Sequence, residues 1–162
     1  MRLKYFLPIA AVVMLLLGLA ILVAVLPTAN DAFAREITLK DNDVTRETLE
    51  FSASGLKPGD TKEYTINLKG KSVGNYELSF EFVEVKKGAL KNFVDVTLQY
   101  GKDSYTYRLY ELLEGKTVRF NCRIGAMDAT VIKVIYSMST SVGNEAQNET
   151  TDFRVNLTAT KS

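Results

Sequence analysis

Five closely spaced glutamates, one cysteine and a Gly-Lys-Ser triplet are the parts of this 162-residue sequence that chemistry could use. Two carboxylates a few ångströms apart can share general acid and base work. Glu77, Glu81 and Glu84, and Glu111 and Glu114, could pair in this way, but Glu77 and Glu81 fall on one face of an alternating run beside lysine-rich turns, which is the pattern of a solvated strand face. Histidine is absent, which removes Ser-His-Asp and Cys-His chemistry and every zinc site built on imidazole. The single cysteine, Cys122, can close no internal disulfide and form no four-thiolate metal site. It lies in phase with Val118, Phe120 and Ile124 and reads as a small buried apolar residue. No catalytic residue, metal ligand or cofactor site is expected, and the chain does not read as an enzyme.

The remaining motifs dissolve on inspection. Gly70-Lys71-Ser72 ends like a phosphate loop, but that loop needs glycine at position 65, where Thr65 stands, and a helix afterwards. Asp41-Asn42-Asp43 opens like a calcium loop, yet Thr45 and Arg46 occupy the places of a ligand and of the turn glycine. Asn148-Glu149-Thr150 and Asn156-Leu157-Thr158 are glycosylation sequons that matter only in a eukaryotic secretory pathway. Tyr105, Tyr107 and Tyr110 form, with Tyr100, a tyrosine group that could stack on sugar rings; packing at the core and rim is the competing role. Lys and Arg number 20 against 19 Asp and Glu, so the chain lacks the charge of a nucleic-acid binder.

The elements that would position these residues begin with a segment outside the fold. Arg2 and Lys4 precede Tyr5–Leu26, 22 residues without a charge. As a helix that run is about 33 Å long, enough for a bilayer core of about 30 Å. Pro27 follows, and Ala32-Phe33-Ala34 has small residues where a signal peptidase needs them, with the cut between Ala34 and Arg35. Residues 1–34 therefore read as a signal peptide or an N-terminal membrane anchor through residues 5–26, and the rest as exported. Removing them takes away Arg2, Lys4 and Asp31 and leaves 18 charges of each sign, a neutral surface permissive for self-association.

From Arg35 onward the period is two. Ile37 and Leu39, Leu49 and Phe51, Tyr64 to Leu68, Tyr76 to Phe82, Val118 to Ile124 and Phe153 to Ala159 alternate with polar residues. Leu56-Lys57-Pro58-Gly59-Asp60 is a turn. The phase slips at Val83 and Val85, which predicts a β-bulge, and the continuous apolar run Ala129–Met138 predicts a central strand. Residues 94–109 predict a hairpin around a four-residue loop, Gly101-Lys102-Asp103-Ser104. That loop pairs Tyr100 with Tyr105, Leu98 with Tyr107 and Val96 with Leu109, and on the other face Thr97 with Arg108 and Asp95 with Tyr110. Tyr110–Gly115 is a short helical turn ended by glycine. Eight or nine strands with turn signals between them give an all-β fold, a single antiparallel β-sandwich of immunoglobulin-like or jelly-roll type over residues 35–162.

Three stretches resemble the camelysin/TasA family of exported bacterial β-sandwich proteins. They are Leu56–Thr61 followed by Tyr64 and Ile66; Phe93–Leu98 running on to Tyr110–Gly115; and Tyr136-Ser137-Met138, then 142–147 and a last strand from Phe153. The turn Lys69-Gly70-Lys71 departs from the Asn-rich turn common in that family, and a glycine cluster before the cut is missing. The resemblance implies a secreted or surface-held structural protein of the biofilm matrix, in which the first strand of one subunit completes the sheet of the next. Carried onto this chain, the donor strand is Arg35–Asp41, with Ile37 and Leu39 as its inserting side chains; the competing reading makes it the first strand of its own sandwich. The metalloprotease activity described for some members cannot be carried over without histidine. The expected partner is a second copy or another surface protein, with no nucleic acid. The alternative is a surface adhesion module for a glycan or protein, using the tyrosines or the loop Ser139–Thr150.

Overall fold

The computed structural model describes residues 33–41, 44–53, 55–146 and 149–162. The hydrophobic run 5–26 and Ala32 lie outside the described residues, as do Asn42, Asp43 and Asn148. No helix among the described residues is long and apolar enough to cross a membrane.

Alternating apolar and polar residues make one-sided strands, and one-sided strands must bury their apolar face against a second sheet. The described residues hold nine strands: β1 (Phe33–Leu39), β2 (Thr45–Ser52), β3 (Thr61–Gly70), β4 (Gly74–Lys86), β5 (Val94–Tyr100), β6 (Asp103–Arg108), β7 (Val118–Ile124), β8 (Thr130–Met138) and β9 (Asp152–Lys161). One helix, α1 (Leu109–Leu113), joins β6 to β7, and short 3-10 turns lie at Ala89–Asn92 and Asn144–Ala146. The strands form a five-stranded sheet in the order β1-β3-β8-β5-β6 and a four-stranded sheet in the order β2-β9-β4-β7. This is the all-β sandwich that the period of two predicts. The apolar run 129–138 becomes β8, the middle strand of the larger sheet.

The sandwich is antiparallel with one departure: β1 runs parallel to β3. The reason is topological. The chain leaves β1, crosses to the other sheet for β2, and returns to lay β3 beside β1 in the same direction. The Lys40 N–H donates to the Thr45 hydroxyl at 2.9 Å and closes that first crossing.

Two local expectations need correction. The 94–108 hairpin turns on two residues, Gly101 and Lys102, so Leu98 faces Tyr105, Val96 faces Tyr107, Thr97 faces Thr106 and Asp95 faces Arg108. A slip of two residues keeps every side chain on its predicted face, so alternation alone could not tell the two registers apart. Gly101 decides the matter: at φ +57° it supplies the left-handed position that a two-residue turn requires. The bulge in β4 falls between Glu84 and Lys86, slightly later than the phase slip suggests, and leaves Val85 exposed. The helical turn is present, with the Glu111 carboxylate accepting the Arg108 N–H at 3.1 Å, and Gly115 follows it at φ +105°.

Cross-sheet contacts show which edges face each other. Phe51 of β2 meets Tyr64 of β3 edge-on at 5.0 Å and Tyr136 of β8 at 5.6 Å. At the opposite side Tyr105 of β6 lies 5.2 Å from Phe120 of β7. Beyond the sheets, Gly88 packs flat against the chain near Thr150. A Cβ there would stand 1.5 Å from the Thr150 carbonyl oxygen, so only glycine allows the approach.

Candidate functional site

The strand singled out by the resemblance, residues 35–41, occupies the edge of the larger sheet. Among the described residues its strand neighbour is β3, with Ile37 opposite Leu68 and Leu39 opposite Gly70. Ile37 and Leu39 are buried in the core between the sheets, which stabilises the seated strand by about 1.5–3 kcal/mol for each side chain. Ala34 and Arg35, on either side of the expected cut, sit within β1 opposite Thr65 and Ile66.

The two residues that flank this apolar pair in phase are charged, and each meets a partner from the other sheet. The Arg35 Nη2 lies 3.4 Å from Glu47 Oε2 on β2. At the other end Asp41 Oδ1 accepts from the Ser72 N–H at 3.2 Å, the Ser72 hydroxyl at 2.8 Å, Lys161 Nζ at 3.2 Å and the Tyr76 hydroxyl at 3.5 Å. The Ser72 hydroxyl, opposed by partial burial and helped by Lys161, holds the Asp41 carboxyl below the usual carboxylate range. Burial pushes the Tyr76 phenol up. Lys161 Nζ also donates to Ser72 Oγ at 2.8 Å. A serine beside a lysine can be a nucleophile with its base, but this ammonium donates to both Ser72 and Asp41 and has no lone pair to offer. The cluster is a clasp that ties the end of β1 to the β3–β4 turn and to the end of β9.

Sequence reasoning missed Glu47 and Lys161, although the signal is present. Glu47 falls in phase with Thr45, Leu49 and Phe51, and Lys161 in phase with Phe153, Val155, Leu157 and Ala159. A charge on the apolar phase of a strand marks a place where the core ends and something must meet it.

The tyrosines are drawn into the sandwich edge rather than gathered on an open platform. Tyr105 leans on Phe120 and stays 41% exposed. Tyr107 lies under the Lys116 ammonium, 3.9 Å from the ring centroid. Tyr110 stands apart on α1, also partly exposed. Cys122 is buried, its thiol donating to the Tyr76 carbonyl at 3.8 Å, and burial pushes it up to about 11. The glutamates serve structure: Glu84 holds Lys91 at 2.9 Å, Glu81 accepts from Asn156 at 3.5 Å, and Glu77 faces Arg119 at 3.9 Å. Among the described residues no group of acidic or sulfur side chains could hold a metal ion.

Two open clefts lie near the other end of the sandwich. One, of about 460 Å³, lies between Gly55–Pro58 and Ala146, Glu149 and Thr150, within the loop region 139–150. Its one carboxylate is committed, since Glu149 accepts the Ala89 N–H at 3.2 Å. The other, of about 470 Å³, lies over Phe51 and Phe153 beside the exposed Val85. In the second the Ser52 hydroxyl donates to Asp152 Oδ1 at 2.7 Å, an exposed cross-strand contact between β2 and β9.

No protein-family model matches this sequence, and no curated protein does. Solved structures share the sandwich at low similarity. The pre-peptidase C-terminal domain of a collagenase from Bacillus anthracis is 14% identical, with 76% of this chain and 93% of that one covered and a TM-score of 0.38. The extracellular region of zebrafish Gpr126/Adgrg6 is 13% identical over 78% of this chain, which spans 15% of that one, at a TM-score of 0.40. PRD1 vertex protein P5 is 11% identical, with 72% of each chain covered and a TM-score of 0.41. At such values nothing about activity or partners passes to this chain.

Proposed function

We propose that this is an exported, non-enzymatic structural protein of a bacterial cell surface or extracellular matrix, and that it self-associates by exchanging β1 between copies. The observation that carries the reading is the seat of β1. Among the described residues it is an edge strand paired with β3 alone, and it places Ile37 and Leu39 in the core, with side-chain and main-chain contacts that a second copy would supply equally well. Where each copy gives β1 to the next, the contact is head-to-tail and builds an open filament whenever the rotation between copies does not close a ring. The expected cut between Ala34 and Arg35 supports it, since it would leave the exported chain beginning on the strand itself. So does the resemblance of 56–66, 93–115, 136–138, 142–147 and the strand from Phe153 to the camelysin/TasA family. The adhesion reading is weaker because Tyr105 and Tyr107 are already engaged by Phe120 and Lys116.

The test places cysteines at Glu36 and Asn67, which face each other across β1 and β3, in a Cys122→Ser background. Oxidation of concentrated protein should give a ladder of covalent multimers on a non-reducing gel, with fibres in the electron microscope. Monomer locked by an internal disulfide, without fibres, would sink the proposal.

A further inference from the structure

The groove beneath β1 carries more information than the contacts of Ile37 and Leu39. Residues 35, 37, 39 and 41 share the inward phase and read charge, apolar, apolar, charge. From Arg35 to Asp41 is about 20 Å of extended chain. The rest of the sandwich presents the complement: Glu47 3.4 Å from Arg35 at one end, and Lys161 3.2 Å from Asp41 at the other, with Ser72 donating twice to the same oxygen.

Ile37 and Leu39 cannot define how a strand enters. A two-residue slip, or a strand laid in the reverse direction, still offers apolar side chains to the core. The charges remove both alternatives. A slip of two residues would drive Arg35 into the buried place of Ile37, and a reversed strand would set Arg35 against Lys161 and Asp41 against Glu47.

We propose that this groove is a recognition site for an extended Arg-x-Ile-x-Leu-x-Asp segment of a second copy of the chain, with Glu47 and Lys161 reading its two ends. The proposal rests on the strand-exchange reading above and names the code by which one copy accepts the next.

The experiment is a charge-exchange cycle on protein recovered after export, again with Cys122→Ser. A donor chain carries Glu36→Cys alone and an acceptor chain carries Asn67→Cys alone, so a disulfide between these sites can form only between copies. Arg35→Glu in the donor should lower the yield of this donor–acceptor dimer about fivefold, the size expected when a half-exposed pair becomes a repulsion. Glu47→Arg in the acceptor should do the same. Combined, donor Arg35→Glu with acceptor Glu47→Arg should restore the original yield, which also shows that both variants fold. Failure of the combined pair to recover, while the unmodified pair forms dimer, overturns the code and leaves strand exchange standing. No dimer from the unmodified pair overturns strand exchange itself.

Discussion

The Thr97 and Thr106 hydroxyls lie 2.8 Å apart on the outer face of β5 and β6, one donating to the other. The contact exists because the hairpin closes on Gly101 and Lys102, and it is followed along the strands by Arg108 against Asp95 at 3.3 Å. Gly101 holds φ +57°, where a Cβ is disfavoured by about 1–2 kcal/mol. Gly101→Ala should therefore lower stability by about 1 kcal/mol, seen as an earlier denaturant midpoint with unchanged slope. An unchanged midpoint would mean that the turn tolerates a side chain there.

Tyr136 is closed in by Phe51, Tyr64 and Phe153, with ring centroids 5.3–5.6 Å away, and its hydroxyl has no hydrogen-bond partner among the described residues. A buried donor without an acceptor costs stability. Replacing Tyr136 with Phe should raise stability by about 1 kcal/mol in thermal or denaturant unfolding. A loss instead would point to a water molecule or a transient acceptor held by that hydroxyl.

Burial raises the Cys122 thiol to about 11, so at pH 8 the folded protein carries it protonated. Its reaction with a thiol-specific dye should be slow in buffer and fast once denaturant unfolds the chain. The sign of the linked stability follows. The contribution is intact below the unfolded thiol value of about 8.5 and is lost as pH climbs towards 11. Cys122→Ala should flatten that alkaline decline, and an equally steep decline in the variant would assign it to other groups.

Acid should act through Asp41. Its folded carboxyl lies below the usual range because Ser72 and Lys161 favour the ionised form. Its contribution is therefore present at neutral pH and is lost as pH falls below about 4, through the folded value. Asp41→Asn should be less stable than the parent at pH 6, and the gap should narrow at pH 3. A gap that stays constant with pH would leave the clasp without an electrostatic role.

The sheets were legible because each buried strand carries the period of two, from Leu49 and Phe51 in β2 to Phe153 through Ala159 in β9. The bulge and the helical turn were legible from a phase slip and a glycine. The hairpin register was not, because a shift of two residues leaves the same residues inside, and only the turn geometry at Gly101 separates the alternatives. Strand order was equally hidden: nothing in residues 35–39 announces a parallel partner in 66–70. At the groove, Ile37 and Leu39 stood out by type, while the charges of Glu47 and Lys161 on the apolar phase of their strands gave no partner until the fold set them beside Arg35 and Asp41.

The order of the smaller sheet bears on when this chain can fold. Among the described residues β2 pairs with no strand of its sheet except β9, and β9 also pairs along most of β4. Thr48 waits for Asn156, 108 residues later, to make its hydrogen bond. β4 and β7 can pair before β9 exists, but β2 cannot join them until residues 152–161 have been made, so the smaller sheet closes only on its last strand. One strand thus acts as the keystone of its sheet: the segment made last joins β2, an element made more than 100 residues earlier, to the pair already formed by β4 and β7.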